Sequence, residues 1–200
     1  MLLLPGCRSE LDALLGTWCV ELDIQDVLMQ RLEEECPGIC DTIAIDSMPV
    51  MVELTFYADS TYQAQVNQES VYSACEGVMP ALEQGIWEYW CALYSAQNIS
   101  GDLEGYLQAL GVTRRELMEE VMGDTLAQEL ILELDIREEG RFSIEDGKLR
   151  FTSSLDTEPE KESCHFYQIQ GKTLTIKPGE YARQTDAEYY GKVLPLVFEK

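Results

Sequence analysis

The 200-residue sequence predicts an α+β chain, a set of antiparallel β-hairpins interrupted by a large α-helical insertion. Three observations carry that expectation. Apolar residues alternate with period two over about residues 50–66 and again over about 141–177, the signature of strands with one buried face. From about Ser70 to Leu130 the apolar spacing changes to three and four, the signature of amphipathic helices. Turn-forming residues, above all Asp146-Gly147, separate the alternating runs. With 46% hydrophobic residues and a net charge of -23, the chain is apolar enough to bury a core and too acidic to suit nucleic acid. Contact between its folded body and an anionic membrane surface is disfavoured for the same reason.

The elements follow in chain order. Gly16-Thr17-Trp18, with Val20 and Leu22 in alternation, reads as a first strand after a short leader. Ile24 to Glu35 has Val27, Leu28, Arg31 and Leu32 at helical spacing and stops at Pro37-Gly38. Val50, Val52, Leu54 and Phe56 fall on one strand face, Ala58 to Thr61 turn the chain, and Tyr62, Ala64 and Val66 return it as a hairpin. In the helical block, Leu82, Ile86, Tyr89, Trp90 and Leu93 form one stripe, with Pro80 expected to kink or start the helix. Leu103 to Leu110 is a short helix ended by Gly111, and Thr113 with Glu116 makes a capping box ahead of Leu117, Met118, Val121 and Met122. Phe142 and Ile144 should face Leu149 and Phe151 across the Asp146-Gly147 turn. Thr152 to Glu162 is polar and reads as an exposed loop. His165–Ile169 and Thr173–Lys177 form a third hairpin around Gln170-Gly171-Lys172, and a last strand over about 192–198 is expected at an edge or after Pro195.

The charge is uneven. Residues 1–136 hold four basic against 25 acidic side chains, a balance of -21, whereas 137–200 hold ten against twelve. A solvated acidic face is the plain reading, and a basic or cation-rich partner is the sharper one. Catalytic signals are absent: there is no Gly-rich phosphate loop, no G-x-S-x-G and no H-E-x-x-H, and the sequence contains no cofactor motif. Glu119-Glu120 reads as solvent-facing. Cys164 and His165 are neighbours that a strand would point to opposite faces, which does not make a nucleophile-base pair. Cys36-Pro-Gly-Ile-Cys40 is the only close cysteine pair among seven cysteines. With one histidine in the chain and no second half-site, it suits a structural thiol pair or a local disulfide better than a metal.

Met1-Leu-Leu-Leu-Pro-Gly-Cys7 resembles the end of a bacterial lipoprotein signal, Leu4, Gly6 and Cys7 falling where the cleavage box needs them. That resemblance implies lipidation of Cys7, an extracytoplasmic, lipid-anchored address in a bacterial envelope, and a start upstream of Met1. Without it the address would be cytoplasmic. Gly16-Thr17-Trp18, the hairpin Leu54 to Tyr62, the later run Tyr167 to Leu174 and the closing strand resemble the lipocalin-like (calycin) barrels of small bacterial secreted proteins. The resemblance covers about residues 11–67 and 140–200. It implies an antiparallel up-and-down β-barrel in which Gly16 and Trp18 are the signature and the Trp18 ring packs across the closed end. The organisation expected is a leader over 1–10 and one lipocalin-like domain over 11–200 with the helical insertion at about 70–130, its helices over one mouth. The function it implies is non-enzymatic: binding of a small apolar or amphipathic ligand, with the membrane reached only through the anchor. The alternative is an acidic module whose helical insertion docks a protein partner.

Overall fold

The computed structural model describes residues 5–97, 101–122, 126–134, 137–153, 162–179 and 194–200. Eight strands in sequence order close into an antiparallel up-and-down barrel: β1 (Gly16–Asp23), β2 (Pro49–Phe56), β3 (Thr61–Val66), β4 (Arg137–Glu145), β5 (Lys148–Ser153), β6 (Glu162–Gln170), β7 (Thr173–Lys177) and β8 (Leu196–Glu199). The expected cross-strand pairs form, Phe142 opposite Phe151 and Ile144 opposite Leu149. Burial alternates along β2 so that Val50, Val52, Leu54 and Phe56 are all buried. The turn after β4 places Asp146 and Gly147 at φ 52° and 73°, the left-handed pair that matches strand twist. In the turn after β2, Asp59 accepts from the backbone N–H and hydroxyl of Thr61 at 3.1 and 2.6 Å. The last strand does begin after Pro195, but β8 is not an edge, because it pairs with β7 on one side and β1 on the other. Lys192, most of the expected 152–162 loop and residues 180–193 lie outside the described residues.

The chain divides into two compact units. One holds Met1–Glu21, Met51–Asn67 and Ile136–Lys200; the other holds Leu22–Val50 and Gln68–Asp135. In the first, a helix α1 (Pro5–Leu14), where the sequence suggested only a leader, precedes β1. The second contains α2 (Gln25–Glu35), a 3-10 turn (Ile39–Asp41), α3 (Gln68–Ala96), α4 (Leu103–Leu110), α5 (Arg114–Met122) and α6 (Leu126–Leu134). It is larger than the expected insertion because α3 packs on the 3-10 turn as well as on α4 and α6. This unit holds 20 of the acidic side chains against three arginines and no lysine, a balance of -17.

Pro80 does not start a helix, since α3 runs through it from Gln68 to Ala96. Its missing N–H leaves one intrahelical bond unmade. The buried stripe of α3 is Val71, Cys75, Val78, Leu82, Gly85, Ile86 and Tyr94, while Leu93 is exposed. At 100° per residue Leu93 falls about 20° from Ile86, on the line of the stripe, so its exposure near the end of α3 does not follow from its helical phase. The expected stops and starts hold. Gly111 takes φ 75° at the end of α4, and the Glu116 carboxylate accepts from the Thr113 N–H and hydroxyl, both at 2.8 Å, which lowers its pKa.

Candidate functional site

One end of the barrel carries Trp18, near the start of β1. Because consecutive strands are antiparallel, the turns after β2, β4 and β6 lie at this end, together with the start of β1 and the end of β8. Gly16 leaves α1 for β1 at φ 106°, a conformation that L side chains rarely adopt, and two residues later Trp18 is fully buried. The Trp18 indole N–H donates to the Leu14 carbonyl at 2.6 Å. Lys200, next to the end of β8, holds its ammonium 4.7 Å from the centre of the Trp18 ring and donates to the Ala13 and Leu15 carbonyls. The helix end thus supplies acceptors to a cation, as its macrodipole favours. Gly16 and Trp18, singled out by sequence, therefore come together; Lys200 was missed, since a terminal lysine carries no local signal.

Above Trp18 the inner face is aromatic. Phe56 meets Phe142 edge-on with centroids 4.9 Å apart, and Tyr62 meets Phe151 at 4.8 Å. His165 joins this cluster, its ring 5.8 Å from that of Phe151 and only 4% exposed. Burial pushes its pKa down from 6.5 to about 4, so the ring is neutral at pH 7. Cys164, its neighbour, is half-buried and on the opposite face of β6.

This has a consequence for pH. The unfolded imidazole takes a proton near pH 6.5 and the folded one only near pH 4, so between those values the unfolded state binds more protons. Stability tied to His165 is complete above pH 6.5, declines as pH falls toward 4 and is flat below. At about 1.4 kcal/mol per unit the loss is on the order of 3 kcal/mol. Urea unfolding from pH 7.5 to 4.5 should show wild type losing about that much more than His165→Phe. Identical pH profiles would mean that the ring is solvated.

Phe56, Leu149 and Leu174, fully buried, stand at the turn ends of their strands, the same end as Trp18. Toward the other end, Ala64, Gly140 and Ser163 occupy inward register positions and are half-buried, and Glu138, exposed, faces Ala64 across the β3–β4 pair. The Tyr62 ring, opposite Gly140, sends its hydroxyl to Glu138 at 2.5 Å. Val50, Val52 and Val66, on β2 and β3 at that end, are buried, and Tyr62 with Glu138 places a polar pair beside the small inward residues. On the outer wall of β3 and β4 lies an open concavity of about 560 Å³, lined by Tyr57, Gln63, Glu139 and Arg141 among others.

Cys7 lies in the backbone of α1, and its side chain is outside the described residues. Cys36 and Cys40 are free thiols and not a disulfide. Cys40 donates to the Met29 carbonyl at 3.2 Å, and burial, with Glu33 nearby, raises its pKa. Cys19, Cys75, Cys91 and Cys164 are also free. Among the described residues, no group of three or more His, Cys, Asp or Glu is placed to hold a metal ion. The geometry defines a class: a closed eight-stranded antiparallel up-and-down barrel, compatible with a lipocalin-like fold, in a chain that also carries a helical unit. The chain matches no known family, no curated protein and no solved structure.

Proposed function

We propose that this is a non-enzymatic, lipocalin-like binding protein that holds a small apolar or amphipathic ligand in the barrel, at the end away from Trp18. The observation that carries this reading is the group of small, half-buried inward residues Ala64, Gly140 and Ser163 beside the Tyr62–Glu138 hydrogen bond. A ligand seated there would rest on Tyr62, Phe142 and Phe151 and turn its polar end to Glu138. Apolar walls with a few convergent polar groups are the usual composition of small-molecule sites. Cys7, by the pattern of Leu4, Gly6 and Cys7, is the acylated anchor on the extracytoplasmic side of a bacterial envelope.

The test has two readouts. The neutral fluorophore N-phenyl-1-naphthylamine should brighten on titration with the protein, and Ala64→Phe, which fills the proposed seat, should weaken that binding at least tenfold. Binding unchanged by Ala64→Phe, or no brightening together with an adduct-free native mass spectrum, overturns the barrel reading. In cells, a clickable fatty acid should label the wild-type protein and not Cys7→Ser; equal labelling refutes the anchor.

A second reading has its own observation. The helical unit, at -17, exposes Leu93, Tyr106, Leu110 and Leu132. Apolar side chains within an acidic surface suit a basic protein partner docked on the helices, and that reading takes precedence if the barrel binds nothing.

A further inference from the structure

Within the helical unit, three segments far apart in sequence enclose a cleft of about 260 Å³. Its floor is Ile39, Leu82 and Ile86, all buried; Leu32, Trp90 and Leu126, half-buried, form its walls. The walls are tied in place. Arg31 on α2 pairs with Glu129 on α6 and, at 3.3 Å, with Glu35 on its own helix. Tyr89 on α3 donates to the Pro37 carbonyl in the turn after α2 at 3.2 Å. The open apolar surface is therefore held apart by an ion cluster and a hydrogen bond, and the cleft does not need a ligand to form.

Its charge chooses the ligand. Partial burial works against the Arg31 cation, and the carboxylates of Glu129 and Glu35 outweigh that, raising its pKa and keeping it charged. One guanidinium between two carboxylates leaves the rim at a net -1, inside a unit whose balance is -17. Anions are repelled from such a field and cations concentrated in it. The indole of Trp90, a wall of the cleft, is the strongest side-chain partner for a cation's face-on approach. At roughly 30 Å³ per heavy atom, by the liquid volume of water, the cleft takes on the order of nine non-hydrogen atoms.

We propose that this cleft binds a small organic ammonium ion, its apolar body on Leu82, Ile86 and Trp90 and its charged end at Glu129 and Glu35. The site is separate from the barrel seat and stands whether or not that seat binds.

The probes are 2-phenylethylamine, its alcohol counterpart 2-phenylethanol and the anion 3-phenylpropanoate, titrated into the full chain while the three indole N–H signals are followed by NMR. The amine should shift the Trp90 signal saturably, the alcohol should bind at least tenfold more weakly and the carboxylate should not bind. Leu126→Trp, which fills the cleft, should abolish the amine response. Glu129→Gln, a change on an exposed side chain that keeps the fold testable if Leu126→Trp does not fold, should weaken amine binding about fivefold or more. Ala64→Phe should leave it unchanged. Equal binding of amine, alcohol and carboxylate, a response that leaves Trp90 unmoved, or an amine affinity indifferent to Glu129→Gln overturns the proposal.

Discussion

Replacing Trp18 by alanine is expected to destabilise the barrel by about 3–5 kcal/mol, the range for truncating a large buried aromatic. The ring is wholly buried, its N–H is committed to the Leu14 carbonyl at 2.6 Å, and the Lys200 ammonium lies over its face. Truncation therefore opens a cavity, frees a carbonyl and takes the aromatic face from a cation that β8 brings to the start of β1. Trp18→Phe helps to separate these effects, because it keeps an aromatic face and most of the volume while losing the N–H and part of the ring. It should cost less than half as much. Urea unfolding of the two variants checks both values, and a loss within about 0.5 kcal/mol for Trp18→Ala would mean that the ring closes nothing.

The strands were legible in sequence because their signals are local. Alternation over Val50 to Phe56 and the Asp146-Gly147 turn act within a few residues, and both appear as read. The same holds for the Thr113–Glu116 capping box and for Gly111. What could not be read depends on residues far apart in the chain. Barrel closure joins Cys19 to Glu199, and the composition of neither strand announces the other. The helical unit recruits Leu22–Val50, and its cleft draws walls from α2, α3 and α6. Pro80 does not begin α3 because its cost is local, while the burial that holds α3 together extends from Val71 to Tyr94. At the barrel site, Trp18 could be named through a three-residue resemblance. His165 reads in sequence, correctly, as no base for Cys164, but nothing in its local sequence announces the Phe151 ring beside it, nor that register sets Glu138 opposite Ala64.

Gly85 should tolerate no side chain. A glycine within a helix ordinarily costs about 0.5–1 kcal/mol relative to alanine, so Gly→Ala at an open position stabilises. Gly77, in the same helix, is such a position, with nothing within 4 Å of a Cβ placed there. At Gly85 a Cβ would stand 2.4 Å from Ile43 Cγ1, 2.7 Å from the Thr42 carbonyl oxygen and 2.9 Å from Ile43 Cα. Two of those three atoms are backbone, following directly on the 3-10 turn, so rotating a side chain does not relieve the contact. Gly85→Ala should therefore cost about 1–3 kcal/mol despite its better helix propensity, and Gly85→Val, with two further methyls and a β-branch, should reach the upper end of that range or exceed it. Gly77→Ala should gain about 0.5–1 kcal/mol. Denaturant midpoints of the three variants decide the matter by sign: if Gly85→Ala stabilises as Gly77→Ala does, α3 is not seated against the Thr42-Ile43 backbone.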